Sequence, residues 1–311
     1  MSGPILVTGG AGFVGCHLCE RLLDEGNEVI CLDNFYTGHW RNIKEAMAHP
    51  RFSVIDRDVR DPGELGAVSR IYNLACPASP VHYQRDRIMT TLTTVIGAHR
   101  MLDLAVQSGA RVLFASTSEV YGDPLITPQA ESYWGNVNPN GVRSCYDEGK
   151  RAAESLAVSY HEAAGAEIRI ARIFTTYGPR MDINDGRVVS NFIVEALTNR
   201  PLTVFGDGSQ TRSFCFVSDM VEALIRLMES PAYTGPTNLG NPTERSIAEF
   251  ARIIKEMTGT ASPIVFEELP PDDPKIRRPD ITKAKAELNW APSVTLEEGL
   301  EKTIAYFRTI I

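Results

Sequence analysis

Ile5-Leu6-Val7-Thr8-Gly9-Gly10-Ala11-Gly12-Phe13-Val14-Gly15 is the stretch that decides the fold. Its apolar start reads as a buried strand, its glycines as a tight turn, and its end as the first turn of a helix. The run satisfies both Gly10-x-Gly12-x-x-Gly15 and the shorter-turn pattern Gly9-x-x-Gly12-x-x-Gly15. Glycines are needed here because the backbone must turn sharply and let a pyrophosphate approach the free N–H groups at the helix start. Such a match is weak alone, but this one follows a strand, opens a helix and begins a βαβ unit. A glycine-rich turn without a ligand is the plainer alternative. Asp33 ends the next apolar run, 18 residues beyond Gly15. A carboxylate there can accept hydrogen bonds from both ribose hydroxyls and repels a 2′-phosphate, so NAD is favoured over NADP. Asp58 and Val59, after the third run, are placed to meet the adenine edge, although Asp58 by itself also reads as a turn residue.

Outward from this turn, short apolar runs at 5–8, 28–32, 52–55, 71–74 and 112–115 are expected to be strands. Helical stretches are expected at 12–25 and 88–108, the latter with Met101, Leu102, Leu104 and Ala105 at helical spacing. Buried runs separated by helices imply parallel strands and right-handed crossovers, hence an α/β doubly wound sheet. A long helix over 145–164 and a strand over 167–173 continue the pattern. Beyond about residue 175 loop chemistry dominates, with helices expected at 188–198 and 247–257 and a stiff connector at Pro270-Pro271-Asp272-Asp273-Pro274. The expected organisation is a dinucleotide-binding domain over 1–175, rejoined by 217–240, and a smaller α/β substrate lobe over 176–311.

The chain has 311 residues and a net charge of -8. That charge argues against nucleic acid or an anionic membrane as a partner, but not against an anionic small molecule held by local arginines. No basic segment, long apolar run or cleavage site precedes the first strand. No apolar stretch approaches the ~18–20 residues of a spanning helix. The expectation is a soluble, cytoplasmic protein. Six scattered cysteines are too sparse for a disulfide scaffold. Cys16 and Cys19 are expected to be reduced thiols on a packed helix.

Tyr146 and Lys150 stand four apart, so they share one helix face. A nearby ammonium and an oxidised nicotinamide favour phenolate, which would let Tyr146 act as a base near neutral pH, with Thr117 as hydroxyl partner. Tyr133 and Trp134 read as wall or core. The histidines show no metal-ligand spacing, and no metal is expected.

Five stretches carry a resemblance: Asp33-Asn34-Phe35-Tyr36-Thr37-Gly38, Leu74-Ala75-Cys76-Pro77-Ala78-Ser79-Pro80, Ser116-Thr117-Ser118-Glu119-Val120-Tyr121-Gly122-Asp123-Pro124, Cys145-Tyr146-Asp147-Glu148-Gly149-Lys150-Arg151 and Asn184-Asp185-Gly186-Arg187-Val188-Val189-Ser190-Asn191-Phe192. Over essentially its full length the chain resembles the extended short-chain dehydrogenases/reductases, and among them the UDP-glucuronate decarboxylases. The resemblance implies Thr117, Glu119, Tyr146 and Lys150 as the catalytic set. It implies NAD contacts from Gly9, Gly12, Phe13, Val14, Asp33, Asn34, Phe35, Thr37, Gly38, Asp58 and Val59. It adds Leu74, Cys76, Thr93, Ala115, Tyr146, Lys150, Thr176 and Arg187 to the NAD set. Substrate contacts are implied for Glu119, Thr175, Arg187, Arg212 and Arg278, the arginines as clamps for a diphosphate. Glu119 would assist decarboxylation beside the sugar. Its plainer alternative is a strand-end carboxylate capping a turn. The family's Asn is Thr175 here, which puts diphosphate affinity in question, and its Ile and Pro before the catalytic Tyr are Asn140 and Val142.

The implied reaction is redox-neutral. Oxidation at C4 of UDP-glucuronate places the C6 carboxylate β to a ketone, CO2 leaves, and the returning hydride gives UDP-xylose. A UDP-glucuronate 4-epimerase or another nucleotide-sugar enzyme of the same class is the nearest alternative. A 4,6-dehydratase lacks its acid, because Thr117-Ser118-Glu119 stands where that class has Thr-Asp-Glu. A catalytically silent NAD-binding scaffold is the remaining one. A homodimer through helices 88–108 and 145–164 is also expected.

Overall fold

The computed structural model describes residues 3–269 and 276–311; the connector expected at 270–274 lies outside the described residues. Strands β1 (Ile5–Thr8), β2 (Val29–Asp33), β3 (Phe52–Asp56), β4 (Arg70–Asn73), β5 (Arg111–Thr117) and β6 (Glu167–Ile173) join one sheet. The strand Thr237–Leu239 pairs with β6, and the order continues β5, β4, β1, β2, β3. Every pairing is parallel. The doubly wound α/β sheet expected from the apolar runs is therefore present.

Alternate residues of each strand face opposite sides, and both sides are dry. Leu6, Ile71 and Val112 pack with Met101 and Leu102 of helix Arg87–Ser108 and Ala153 and Ala157 of helix Ser144–Ala164. Ile5, Val7 and Cys31 pack on the other side with Leu18 and Leu22 of helix Phe13–Asp24 and Leu224 of helix Val217–Glu229. Both long helices on the first side end at a left-handed glycine, Gly109 and Gly165. All six cysteines are free, and Cys16 and Cys19 are buried on their helix.

Chain order reverses between β1 and β4, so a crevice opens at the carboxyl ends of those strands. Over it lie shorter sheets built by the later chain. Leu202–Phe205 pairs with Ile264–Glu267, and Thr211–Ser213 lies between Glu244–Ser246 and Ile276–Arg277. Buried Asp219 ties helix Val217–Glu229 to the carboxyl-terminal part of the chain, accepting from the backbone N–H groups of Ser293 and Val294 at 2.9 Å. Among the described residues no helix is long and apolar enough to cross a membrane.

The turn after β1 leaves no room for side chains. A Cβ at Gly15 would run into the carbonyl oxygen of Gly9 and sit 2.8 Å from Gly10 Cα. One at Gly10 would lie 2.6 Å from the Cys31 thiol. Gly15→Ala is expected to cost about 1–3 kcal/mol in denaturant unfolding, because backbone and not a side-chain tip must move. It is also expected to weaken nucleotide binding at least tenfold in a titration.

Candidate active site

The crevice is a cleft whose floor is the glycine turn. Gly9, Gly12, Phe13 and Val14 line it, joined by Asp33, Asn34 and Thr37 after β2. Val59, Leu74, Cys76 and Thr93 complete that wall, and Arg187 reaches in from the opposite one. Helix Phe13–Asp24 starts at Gly12 with no side chain capping it, so its first N–H groups are left for a ligand. Asp33 braces this floor, accepting from Ala11 N at 3.0 Å and Phe35 N at 2.8 Å. Burial pushes its carboxyl above the usual range, against the pull of those two N–H groups. Gly38 is needed beside it, since a Cβ there would lie 2.9 Å from both Asp33 oxygens. A side-chain-free turn, unspent N–H groups and a carboxylate at the end of β2 fit a dinucleotide.

Of the expected cofactor contacts, Phe35, Gly38, Asp58, Ala115, Tyr146, Lys150 and Thr176 fall outside this lining. Phe35, at a φ of 55°, stacks on Trp40 with centroids 4.0 Å apart. Asp58 is turned to Asn34 Nδ2 at 2.9 Å and to the Arg60 guanidinium at 2.8 Å. Asp58 thus orients Asn34 while Val59 faces the cleft.

Tyr146 lies in the first turns of helix Ser144–Ala164 and hydrogen-bonds Thr117 at the end of β5. The Thr117 hydroxyl also accepts from Glu119 N at 3.2 Å, capping the short turn that carries Glu119. Lys150 donates to the Ala115 carbonyl at 2.6 Å, its ammonium 5.7 Å from the centre of the Tyr146 ring. The Tyr83 ring is stacked on Tyr146, 4.9 Å away and 4° from parallel. Burial pushes the Tyr146 hydroxyl well above the usual range, the Cys76 thiol adds to the rise, and the Thr117 hydrogen bond only partly opposes it.

Next to this group lies a second cavity of about 610 Å³. Glu119, Thr175, Arg187 and Arg212 line it, as do Tyr83, Arg143 and Arg277. Arg277 holds Glu119 with two nitrogens at 2.7 and 2.8 Å, and Arg143 adds a third contact at 2.9 Å. Burial favours the neutral acid, yet the two guanidiniums outweigh it and keep the Glu119 carboxyl below the usual range. Arg187 lines both cavities and is held at 2.5 and 2.8 Å by Asp185.

Arg278 does not join this lining. Successive strand residues face opposite ways, and Arg277 pairs in register with Arg212. Arg278 turns instead to Glu244 at 3.5 Å. Thr176 is buried, with its hydroxyl on the Phe174 carbonyl at 3.0 Å, and lines neither cavity. Trp134 is 87% exposed, neither wall nor core. Arg143, Tyr83 and Arg277 are the site residues that motif reading misses. Only the alternation of an Arg-Arg pair along a strand could have pointed to the last.

Residues 6–303 match the family described as GDP-mannose 4,6 dehydratase. The chain belongs to this family of extended short-chain dehydrogenases/reductases. UDP-glucuronic acid decarboxylase 1 of Arabidopsis thaliana is 55% identical over 307 residues, 99% of this chain and 70% of its own length. UDP-glucuronic acid decarboxylase 3 of the same plant is 59% identical over 297 residues, covering 95% and 86% of the two chains. UDP-glucuronic acid decarboxylase 1 of Xenopus tropicalis is 55% identical over 304 residues, 98% of this chain and 72% of its own. The crystal structure of UDP-glucuronic acid 4-epimerase from Bacillus cereus in complex with UDP-glucuronic acid and NAD superposes with a TM-score of 0.91. Its identity is 28%, over 99% of this chain and 100% of that one. Enzymes of this family use NAD.

Within this extended-dehydrogenase frame one buried acid stands apart. Asp147 follows Tyr146, and its Oδ1 finds no hydrogen-bond partner among the described residues. It borders a polar cavity of about 250 Å³ with Asn136 and Val137. Burial, with Glu119 nearby, pushes its carboxyl up to about 8, against the pull of Arg143 and Arg277. The unfolded chain loses that proton near pH ~4. Between the two values the folded state holds the extra proton. The stability linked to it is complete below pH ~4 and is lost as pH rises through about 8. Asp147→Asn, which mimics the protonated acid, should therefore gain in melting temperature relative to the parent as pH goes from ~5 to ~8.5. A constant difference across that range would refute the assignment.

Proposed function

We propose that the chain converts UDP-glucuronate to UDP-xylose and CO2. The observation that carries this reading is the charge of the second cavity. Among the described residues its lining holds Arg85, Arg143, Arg187, Arg212 and Arg277 against a single carboxylate, Glu119. In a chain of net charge -8, that local excess suits a substrate with a diphosphate and a carboxylate. The decarboxylase relatives share more than half their residues with it over nearly its whole length.

In this reading Gly9, Gly12, Asp33, Thr37 and Val59 would hold NAD, which when bound would supply a hydride acceptor and donor for C4. Tyr146 takes the proton of the C4 hydroxyl, with Thr117 fixing the line between the two oxygens. Enclosure keeps the phenol protonated, so it ionises only where positive charge faces it. Lys150 beneath the ring supplies part of that charge. Glu119 is ionised and spoken for by two guanidiniums, so it does not protonate a leaving hydroxyl. This weighs against dehydration. It leaves Glu119 to position the sugar while the C6 carboxylate departs as CO2 from the ketone. Enclosure by Tyr83 keeps bulk water from the carbanionic product until C5 is protonated. Arg187 and Arg212 take the diphosphate. Thr175, shorter than the family's Asn, leaves them more of that work. We also infer a homodimer, supported by the apolar side chains Ile88 and Val106 that helix Arg87–Ser108 exposes at 75% and 42%, and a cytoplasmic location.

Purified protein given UDP-glucuronate and NAD+ is expected to release CO2 and UDP-xylose in equal amounts. UDP-galacturonate without CO2 would establish the epimerase instead. Tyr146→Phe is expected to lower kcat by about 10²–10⁴-fold while nucleotide binding persists. Thr175→Asn is expected to lower the KM for the sugar nucleotide with little change in kcat.

A further inference from the structure

The cofactor cleft has a second wall, of which motif reading anticipated Arg187 alone. Arg180, Asp182, Asp185 and Arg187 all line it, facing the glycine turn. This wall belongs to the later chain, yet it is fastened to the floor at several points. Asp182 Oδ2 meets the His39 ring and accepts from the Arg41 guanidinium at 3.2 Å. Arg180, at a φ of 68°, reaches Glu20 on helix Phe13–Asp24 at 2.7 Å. The His17 ring meets the Pro179 carbonyl at 3.0 Å.

The anchor beneath Asp182 is itself rigid. His39 N donates to the Ala11 carbonyl at 3.0 Å, and Asn42 Nδ2 donates to the same oxygen at 2.9 Å. The other carboxylate oxygen of Asp182 accepts from Asn184 N at 2.7 Å, which fixes the turn leading to Asp185 and Arg187. One aspartate thus joins floor and wall at the mouth of the cleft, through partners 143 and 141 residues away in sequence.

We propose that Asp182, gripped by His39 and Arg41, is a positioning residue that keeps the dinucleotide in its cleft through the whole reaction. The proposal rests on the reading of this cleft as an NAD site. A redox-neutral reaction that returns the hydride it has taken needs the same cofactor molecule at both steps. A reduced cofactor that left midway would strand a keto sugar. The clasp acts by slowing separation of wall from floor, not by touching the reacting atoms.

The test is the rate at which bound NADH leaves the protein, followed by its fluorescence after mixing with excess NAD+. Asp182→Asn is expected to speed release at least tenfold, and Asp182→Glu to restore most of the slow rate. The KM for NAD should rise more than kcat falls, and free NADH with 4-keto sugar should accumulate during turnover. His39→Gln combined with Arg41→Gln should give the same release rate while leaving the turn at Asp182 intact, which covers the case of an Asp182 variant that does not fold. The alternative predicts the opposite sign. If Asp182 merely faces the cofactor's phosphates, removing its charge relieves a repulsion and slows release. Slower or unchanged release would overturn the clasp while leaving the NAD reading intact. A parent protein that binds no NADH would overturn both.

Discussion

A buried carboxylate has to be paired, and the pairing of Glu119 organises the active site. Glu119 stands just beyond β5, Arg143 just before helix Ser144–Ala164, and Arg277 on a strand contributed by the last part of the chain. Three segments far apart in sequence converge on one acid at 2.7–2.9 Å. Leaving any of these charges unpaired in a dry site would be strongly destabilising. This ionic junction therefore ties together the carboxyl end of β5, the helix that carries Tyr146 and the smaller sheets. That junction also sets the chemistry. With its acid neutralised, the wall keeps an excess of guanidinium facing the space beside Tyr146 and Thr117.

What was legible in the sequence is what depends on neighbours along the chain. The strand runs, the glycine turn, the carboxylate ending β2 and the pairing of Tyr146 with Lys150 on one helix face all rest on local periodicity. They stand where the spacing puts them. Asp58 and Val59 show the limit. Both follow β3, but which one faces the cleft depends on Asn34 and Arg60 drawing the carboxylate away. Arg277 and Arg278 show it again, since only register against Arg212 says which turns inward. The ionisation of Tyr146 depends on its burial and on Cys76, Thr117 and Tyr83, none adjacent to it in the chain. Asp182 and His39 lie on opposite walls of a cleft, and no spacing rule connects them.

Thr175 bears on how the substrate is held. It lines the arginine-rich cavity with a hydroxyl where the family's pattern has an amide. An amide side chain offers two donors to phosphate oxygens, a threonine one. Guanidiniums bind such oxygens with forked, charge-assisted contacts that are stronger than those of a neutral amide. In the proposed reading, affinity for the diphosphate would shift from a neutral contact to Arg187 and Arg212, and with it would come a steeper dependence on salt.

Arg187 links the two cavities, because it lines both and is locked to Asp185 by two nitrogens. The short wall that bears it also bears Asp182. Whatever fastens that wall to the glycine turn therefore positions a guanidinium for the sugar nucleotide as well as closing the cleft. In the proposed reading, cofactor and substrate are then coupled through one piece of backbone as well as through the contact that hydride transfer requires. Filling the cleft restrains the wall, and a restrained wall presents Arg187 already ordered, so a second ligand loses less entropy on binding. Because coupling of this kind is reciprocal, a sugar nucleotide gripped by Arg187 tightens the hold on the cofactor by the same factor. A reaction that must keep its reduced cofactor while the keto sugar is present gains from that arrangement: the substrate itself reinforces the retention that its own conversion requires.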